Sequence, residues 1–207
     1  MDRDLRGIKE KGFLTFFREN EESMLSDTFW NVRLVQNLET SSISSPYFNT
    51  YLAAQVFLGD HSLLSNSSKV DQLITVTGDV HHIFPKEYLK KNGFDDKSMY
   101  NQVANYTYLD TPVNIAVGKK PPEEYFGKAI SACSGENKDG WAITDEADFW
   151  KNLDENCIPR EVAKMTAADY PDFFAAPDFK IQARKNFAFA KFKFQIFYSY
   201  QILHSFA

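Results

Sequence analysis

Apolar residues in the first 60 positions recur at helical spacing. In the segment 27–38 they are about three residues apart and follow an aspartate that can cap a helix. Ser45 and Pro46 are typical of an N-cap followed by proline at the first helical position, and the helix that they begin is predicted to end at Gly59. We interpret this region as core-building helices without a site.

The pattern changes in the segment QLITVTGDVHHIFP, residues 72–85, which is rich in β-branched residues and predicts a strand or an extended run into a turn. A second β-like run covers Tyr106 to Leu109. Thr111 and Pro112 then predict an N-cap and first turn, and this short helix should end by Gly118. The predicted order is strand, loop, strand, helix.

The chain changes character again near its C-terminal end. Thr166 and Asp169 have the spacing of a capping box, and Pro171 is predicted to stop or kink the helix there. In the segment FKFQIFYSYQI, apolar residues fall on alternate positions, which is a strand period. We therefore expect one domain over residues 1–175 and an atypical Phe-rich, basic tail over 176–207, which an altered or frame-shifted C-terminus would explain.

These patterns predict an α+β fold that is mainly helical. A small hairpin-plus-helix core over about residues 74–120 would be wrapped by helices. The length of 207 residues is enough for one good core or for two small ones.

Composition favours an ordinary globular protein, with 43% apolar and 25% charged residues. No apolar run approaches the roughly 20 residues of a membrane span, and the first residues, MDRDLRGIKEKG, lack an apolar signal core. We expect a cytoplasmic protein without a membrane partner. Cys133 and Cys157 lack the close spacing of a metal knuckle, and we interpret them as reduced thiols.

The charge is unevenly distributed. The net charge is −5, but residues 1–178 carry 18 basic against 28 acidic residues, a net of −10. Phosphate binding needs clustered Lys and Arg, so such a chain is poorly suited to grip a nucleic-acid backbone by itself.

Two of the four histidines, His81 and His82, are adjacent. Hydrolysis at a metal site needs ligands for the ion and a base that activates water. Neighbouring side chains on one strand point to opposite faces, but a bend between Gly78 and Pro85 would let both imidazoles share a site.

The run VHHIFP, followed by ANYTYLDTPVN, resembles an HNH nuclease motif of the ββα-metal type. It is more closely similar to the C-terminal nuclease domain of GmrSD-type, modification-dependent restriction endonucleases. The similarity is strongest over about residues 70–130, with a motif core at 74–128. It implies a metal-dependent DNA endonuclease of a restriction or phage-defence system.

The resemblance also implies roles for individual residues. His81 matches the first metal ligand and Asn114 the second, while His82 matches the general base. Asn105 matches the asparagine that fixes the hairpin and helps to orient that base. Two protein ligands leave room for water and phosphate oxygens, which suits Mg²⁺ or Mn²⁺ better than a structural zinc ion.

Two further residues are weaker candidates. Asp79 could be another ligand or an acceptor for a histidine N–H, and Lys119 could contact a phosphate. GmrSD-type proteins carry an NTP-using, ParB-like module ahead of the nuclease, and this sequence contains no P-loop. We therefore expect such a module or partner subunit to hold most of the DNA, which would account for the acidic charge.

Other interpretations remain open. An adjacent histidine pair is usually solvated surface, and asparagines are common in turns and caps. The chain could be a non-catalytic remnant or accessory module that docks on an NTPase subunit, as its acidic charge and unusual tail suggest. An HNH toxin domain is a third interpretation, disfavoured by the absence of a basic DNA-binding surface.

Overall fold

A computed structural model describes residues 2–24, 26–37, 43–76, 80–136 and 140–175. These residues are mainly helical and include one two-stranded antiparallel sheet, which confirms the predicted fold class. The α-helices are α1 (Asp2–Lys11), α2 (Phe13–Met24), α3 (Leu34–Asn37), α4 (Pro46–Leu58), α5 (Val70–Val76), α6 (Lys86–Lys91), α7 (Lys97–Tyr100), α8 (Thr111–Val117), α9 (Pro122–Cys133), α10 (Glu146–Glu155) and α11 (Tyr170–Ala175). The strands are β1 (Val80–His82) and β2 (Tyr106–Tyr108). The predicted strand period of the tail lies outside the described residues.

Helix α4 begins and ends as its sequence predicts. The Ser45 hydroxyl accepts a hydrogen bond from the Phe48 amide at 3.1 Å, and Pro46 takes the first helical position, where its missing N–H costs nothing. Gly59 ends the helix with a φ of 74°, a left-handed conformation that a side chain would disfavour. Phe48 and Tyr51 bury one face of the helix against the hairpin region.

The hairpin is also present, in the predicted order of strand, strand and helix. Strands β1 and β2 pair with Val80 opposite Tyr108, His81 opposite Thr107 and His82 opposite Tyr106. The two histidines therefore occupy successive positions of one strand, and α8 follows β2 after two residues. This arrangement brings the end of α8 close to β1.

The prediction of a strand from residue 72 is wrong, because residues 70–76 form α5. The side chain of Gln72 accepts a hydrogen bond from the Lys69 amide at 2.9 Å and so satisfies a donor just before the helix. Val70 at its start is buried in the core, whereas Ile74 and Thr75 are exposed. The β-branched residues that follow have no neighbouring strand among the described residues, and the sheet begins at Val80.

The N-cap of α8 lies one residue earlier than predicted. Asp110, and not Thr111, has extended backbone, and its Oδ1 accepts a hydrogen bond from the Val113 amide at 3.1 Å. Its Oδ2 accepts a second from the Ser68 hydroxyl at 3.1 Å. Either residue type can cap a helix, so the sequence did not separate the two.

The capping box at Thr166 and Asp169 is confirmed, since the Asp169 carboxylate accepts hydrogen bonds from the amide and hydroxyl of Thr166. These hydrogen bonds lower the pKa of Asp169.

Pro171 does not stop a helix, contrary to the prediction. It lies in the first turn of α11, where a proline lacks no helical hydrogen bond.

Two groups of buried apolar side chains form the core. The larger joins α6, α7, α8, α9, α10 and α11 to Ile83 and Phe84, which follow β1, and the smaller joins α3 and α4 to the residues around β2. The sheet lies where the two groups meet, so packing holds it on both sides. None of the helices described is long and apolar enough to cross a membrane.

Candidate functional site

A surface cavity of about 200 Å³ lies where β1 faces α8. Four of the residues predicted for the site line it: His81, His82, Asn114 and Lys119. Asp79, the weaker candidate ligand, lies outside the described residues. The remaining lining residues are Val80, Pro85, Lys86, Glu87, Leu109, Val117 and Gly118.

His82 is half-buried and held by three neighbours. Its Nε2 lies 2.9 Å from the Oδ1 of Asn101, and its ring contacts the rings of Tyr106 and Tyr100 edge-on, at centroid distances of 5.3 and 6.3 Å. Burial lowers the pKa of His82, the hydrogen bond to Asn101 opposes that shift, and the Lys86 charge reinforces it. A neutral imidazole, which can accept a proton, is therefore favoured near neutral pH.

His81 lies at the middle position of β1, opposite Thr107, and its residue is half-buried. Successive residues within a strand point to opposite faces, which on a longer strand would separate the imidazoles of His81 and His82. Both residues nevertheless contribute to the cavity wall, because β1 ends directly after His82.

Asn105 is completely buried, with 0% of its surface exposed. Its Oδ1 accepts a hydrogen bond from the Phe84 amide at 2.7 Å, and its Nδ2 donates to the carbonyls of Phe84 and Tyr100 at 3.2 and 3.1 Å. The backbone carbonyl of Asn105 accepts from the Ile83 amide at 2.9 Å. Asn105 therefore fixes the chain just after His82 and makes no hydrogen bond to the imidazole.

Asn114 and Lys119 come from the opposite wall. Asn114 is the fourth residue of α8, and the cap at Asp110 fixes where that helix starts. Gly118, with a φ of 55°, ends the helix and turns the chain into Lys119. Lys120 is engaged elsewhere, since its ammonium donates to the Ala116 carbonyl at 2.6 Å.

Reasoning from the sequence missed four polar residues near the histidines. Lys86 and Glu87 line the cavity because α6 begins directly after Pro85. The ammonium groups of Lys86 and Lys90 lie 5.5 and 5.6 Å from the centre of the Tyr100 ring, which places positive charge beside His82. Asn101 is 19 positions from His82 in the chain. The one feature of the sequence that could have indicated it is its position four residues before Asn105.

The donor atoms near the cavity suit an open cation site better than a closed one. Among the described residues, no group of three or more His, Cys, Asp or Glu is placed to hold a metal. The candidates are the His81 imidazole and the Asn114 amide oxygen, with the Glu87 carboxylate at the same cavity. A hard cation such as Mg²⁺ binds through few protein ligands and keeps several waters, so this donor set fits that class of ion.

The site has local positive charge within an acidic chain. Lys86 and Lys119 line the cavity, and Lys90 lies next to it with its ammonium 3.8 Å from the Glu87 carboxylate.

Comparison with protein families, with curated proteins and with solved structures gives no significant match to this chain.

Proposed function

We propose that the protein is a metal-dependent endonuclease of the HNH type that hydrolyses DNA phosphodiester bonds. The observation that carries this proposal is the single cavity lined by His81, His82, Asn114 and Lys119. The sequence motif assigned His81, His82 and Asn114 to one site, with Lys119 as a weaker candidate. These residues come from β1, from α8 and from the turn that follows α8.

In the proposed reaction His82 is the general base. It accepts a proton from a water molecule, whose oxygen forms a new bond to phosphorus. The bond from phosphorus to the leaving deoxyribose oxygen breaks, and that oxygen keeps the electron pair. The lowered pKa of His82 supports this role, because the imidazole must be neutral before it can take a proton.

His81 and Asn114 are the proposed metal ligands, with Glu87 close enough in the cavity wall to contribute a carboxylate. A bound Mg²⁺ or Mn²⁺ would stabilise the charge that develops on the phosphate and on the leaving oxygen. Lys119 and Lys86 are placed to contact the phosphate from either wall. Asn105 acts indirectly, by fixing the backbone that carries His82.

The proposed biological setting is cytoplasmic restriction of modified DNA, in a phage-defence system. The acidic charge of residues 1–178 is accounted for if an NTP-using, ParB-like module or subunit supplies most of the DNA contacts.

The test is a nicking assay on supercoiled plasmid. We expect the purified chain to convert it to the open-circular form with Mg²⁺ or Mn²⁺ and to stop when EDTA removes the metal. Plasmids with and without modified cytosine show whether modification is required. A preparation without metal-dependent nicking on either plasmid overturns the proposal.

A second candidate function is that of an accessory module that docks on another subunit. An apolar surface groove between α4 and α5 favours it, since Val56, Phe57 and Ile74 are about 40% exposed there. This groove is separate from the histidine cavity. Metal-dependent nicking that depends on His82 would rule out a purely accessory role.

A further inference from the structure

The side chain of Asn101 contacts His82 from outside the predicted motif. Asn101 follows α7, and its Oδ1 lies 2.9 Å from the Nε2 of His82. An amide oxygen can only accept a hydrogen bond, so the proton of this bond must belong to Nε2. In a neutral imidazole the lone pair is then on Nδ1.

Asn101 itself is held in place by the surrounding backbone. Its backbone N–H donates to the Lys97 carbonyl at 3.0 Å. The residue before it, Tyr100, has its carbonyl bound by the Asn105 amide group at 3.1 Å and by the Tyr170 hydroxyl at 3.3 Å. The acceptor that contacts His82 is thus attached to a segment held by Asn105, just before β2, and by Tyr170 of α11.

We propose that Asn101 is a positioning residue that holds His82 in its Nε2–H tautomer and leaves Nδ1 as the atom that takes the proton from water. This inference rests on the proposed nuclease function and names the reacting nitrogen within it. The described residues offer the His82 ring no hydrogen-bond partner besides Asn101. The edge-on contacts with Tyr106 and Tyr100 limit rotation of the ring about its own axis.

A purely structural role for Asn101 would predict something different. If Asn101 had only a structural role, its loss would lower the stability of the chain and leave the tautomer balance of His82 unchanged. Loss of a positioning bond changes the ¹⁵N signals of His82 itself. The test must therefore observe the imidazole directly.

The experiment is long-range ¹H–¹⁵N NMR on the ¹⁵N-labelled full chain at pH 8, where imidazole is neutral. His82→Gln identifies the His82 signals by their loss. We expect the wild-type pattern of an Nε2–H tautomer, and for Asn101→Ala a shift of both nitrogens towards the average of the two tautomers. Asn101→Asp, whose carboxylate still accepts from Nε2, should restore the wild-type pattern. Asn92→Ala, at an exposed position whose amide donates to the Tyr88 carbonyl, is the matched control and should change nothing.

The same variants are then measured in the nicking assay. Asn101→Ala should lower kcat by about 10–100-fold, as expected for loss of a residue that orients a catalytic side chain, with partial recovery in Asn101→Asp. An Nδ1–H tautomer in the wild type, or an Asn101→Ala spectrum identical to it, overturns the inference. A wild-type chain with the Nε2–H tautomer but no nicking overturns the nuclease function instead, and with it the assignment of Nδ1 as the base.

Discussion

At the scale of single residues, three asparagines around the hairpin have distinct roles. Asn114 faces the cavity from α8, Asn101 binds the imidazole of His82, and Asn105 holds the backbone beneath it. The sequence motif indicated Asn105 and Asn114 because each falls at a recognisable place in a strand–helix pattern. Asn101 could not be predicted, since its contact depends on how α7 and the following turn fold back on β1.

The buried amide of Asn105 cannot be replaced by a carboxylate without loss of stability. In Asn105→Asp a carboxylate oxygen replaces the amide nitrogen and faces the carbonyls of Phe84 and Tyr100, so two donor bonds become repulsions in a buried site. We expect the free energy of unfolding to fall by about 3 kcal/mol, measured by urea denaturation. Asn49→Asp, at an exposed position of α4, is the control and should change it by about 0.5 kcal/mol or less. Equal stabilities for the two variants would contradict the buried role of Asn105.

At the scale of elements, the site is built from pieces that are too short to be stable alone. Each strand has three residues and α8 has seven. Caps and packing must supply the remaining stability. Local patterns predicted α4 and α8 because proline, glycine and capping residues mark their ends. They failed at residues 70–76, where β-branched composition suggested a strand and a helix with a side-chain cap formed instead.

A prediction at this scale separates the two candidate caps of α8. Asp110→Ala removes the acceptor for the Val113 amide and for the Ser68 hydroxyl, and should lower the free energy of unfolding by about 1–2 kcal/mol. Thr111→Ala changes only an exposed first-turn side chain and should have an effect of about 0.5 kcal/mol or less. Urea denaturation of both variants measures the difference. A larger loss in Thr111→Ala would restore the cap predicted from the sequence.

At the scale of the whole molecule, distant helices anchor the segments that carry the site. The Tyr125 hydroxyl of α9 donates to the Ile83 carbonyl at 2.8 Å, directly after His82. The Tyr170 hydroxyl of α11 donates to the Met99 carbonyl at 2.9 Å, next to the segment that carries Asn101. These contacts span 42 and 71 positions of the chain. Local sequence patterns carry no information about contacts at that range. The motif could therefore be predicted from the sequence, but the tyrosine hydrogen bonds that anchor it could not.

The tyrosine contacts predict a loss of stability at alkaline pH. Burial raises the pKa of Tyr125 and of Tyr170, whereas a tyrosine in the unfolded chain titrates near pH 10. The folded chain therefore keeps these protons where the unfolded chain releases them, which favours unfolding. Their contribution to stability is complete below about pH 10 and falls as the pH rises further.

We expect urea denaturation of the wild type to show a fall in the free energy of unfolding from pH 9 to pH 11. The double variant Tyr125→Phe/Tyr170→Phe should be less stable at pH 8, because each lost hydroxyl removes hydrogen bonding to backbone carbonyls, at about 1 kcal/mol for each hydroxyl. The further fall in its free energy of unfolding up to pH 11 should be smaller than that of the wild type. Parallel curves for the two proteins would show that these hydroxyls do not titrate with unfolding.

We propose that His82 is the base of a metal-dependent nuclease, and two histidine variants in the plasmid-nicking assay test this role. His61 is a matched control, because its imidazole lies 3.4 Å from the Glu155 carboxylate and it is not among the residues that line the cavity. We predict that His82→Ala lowers the Mg²⁺-dependent nicking rate by at least about 100-fold, the usual contribution of a general base, while His61→Ala keeps it within about threefold. Equal rates for the two variants would contradict the assignment of His82 as the base.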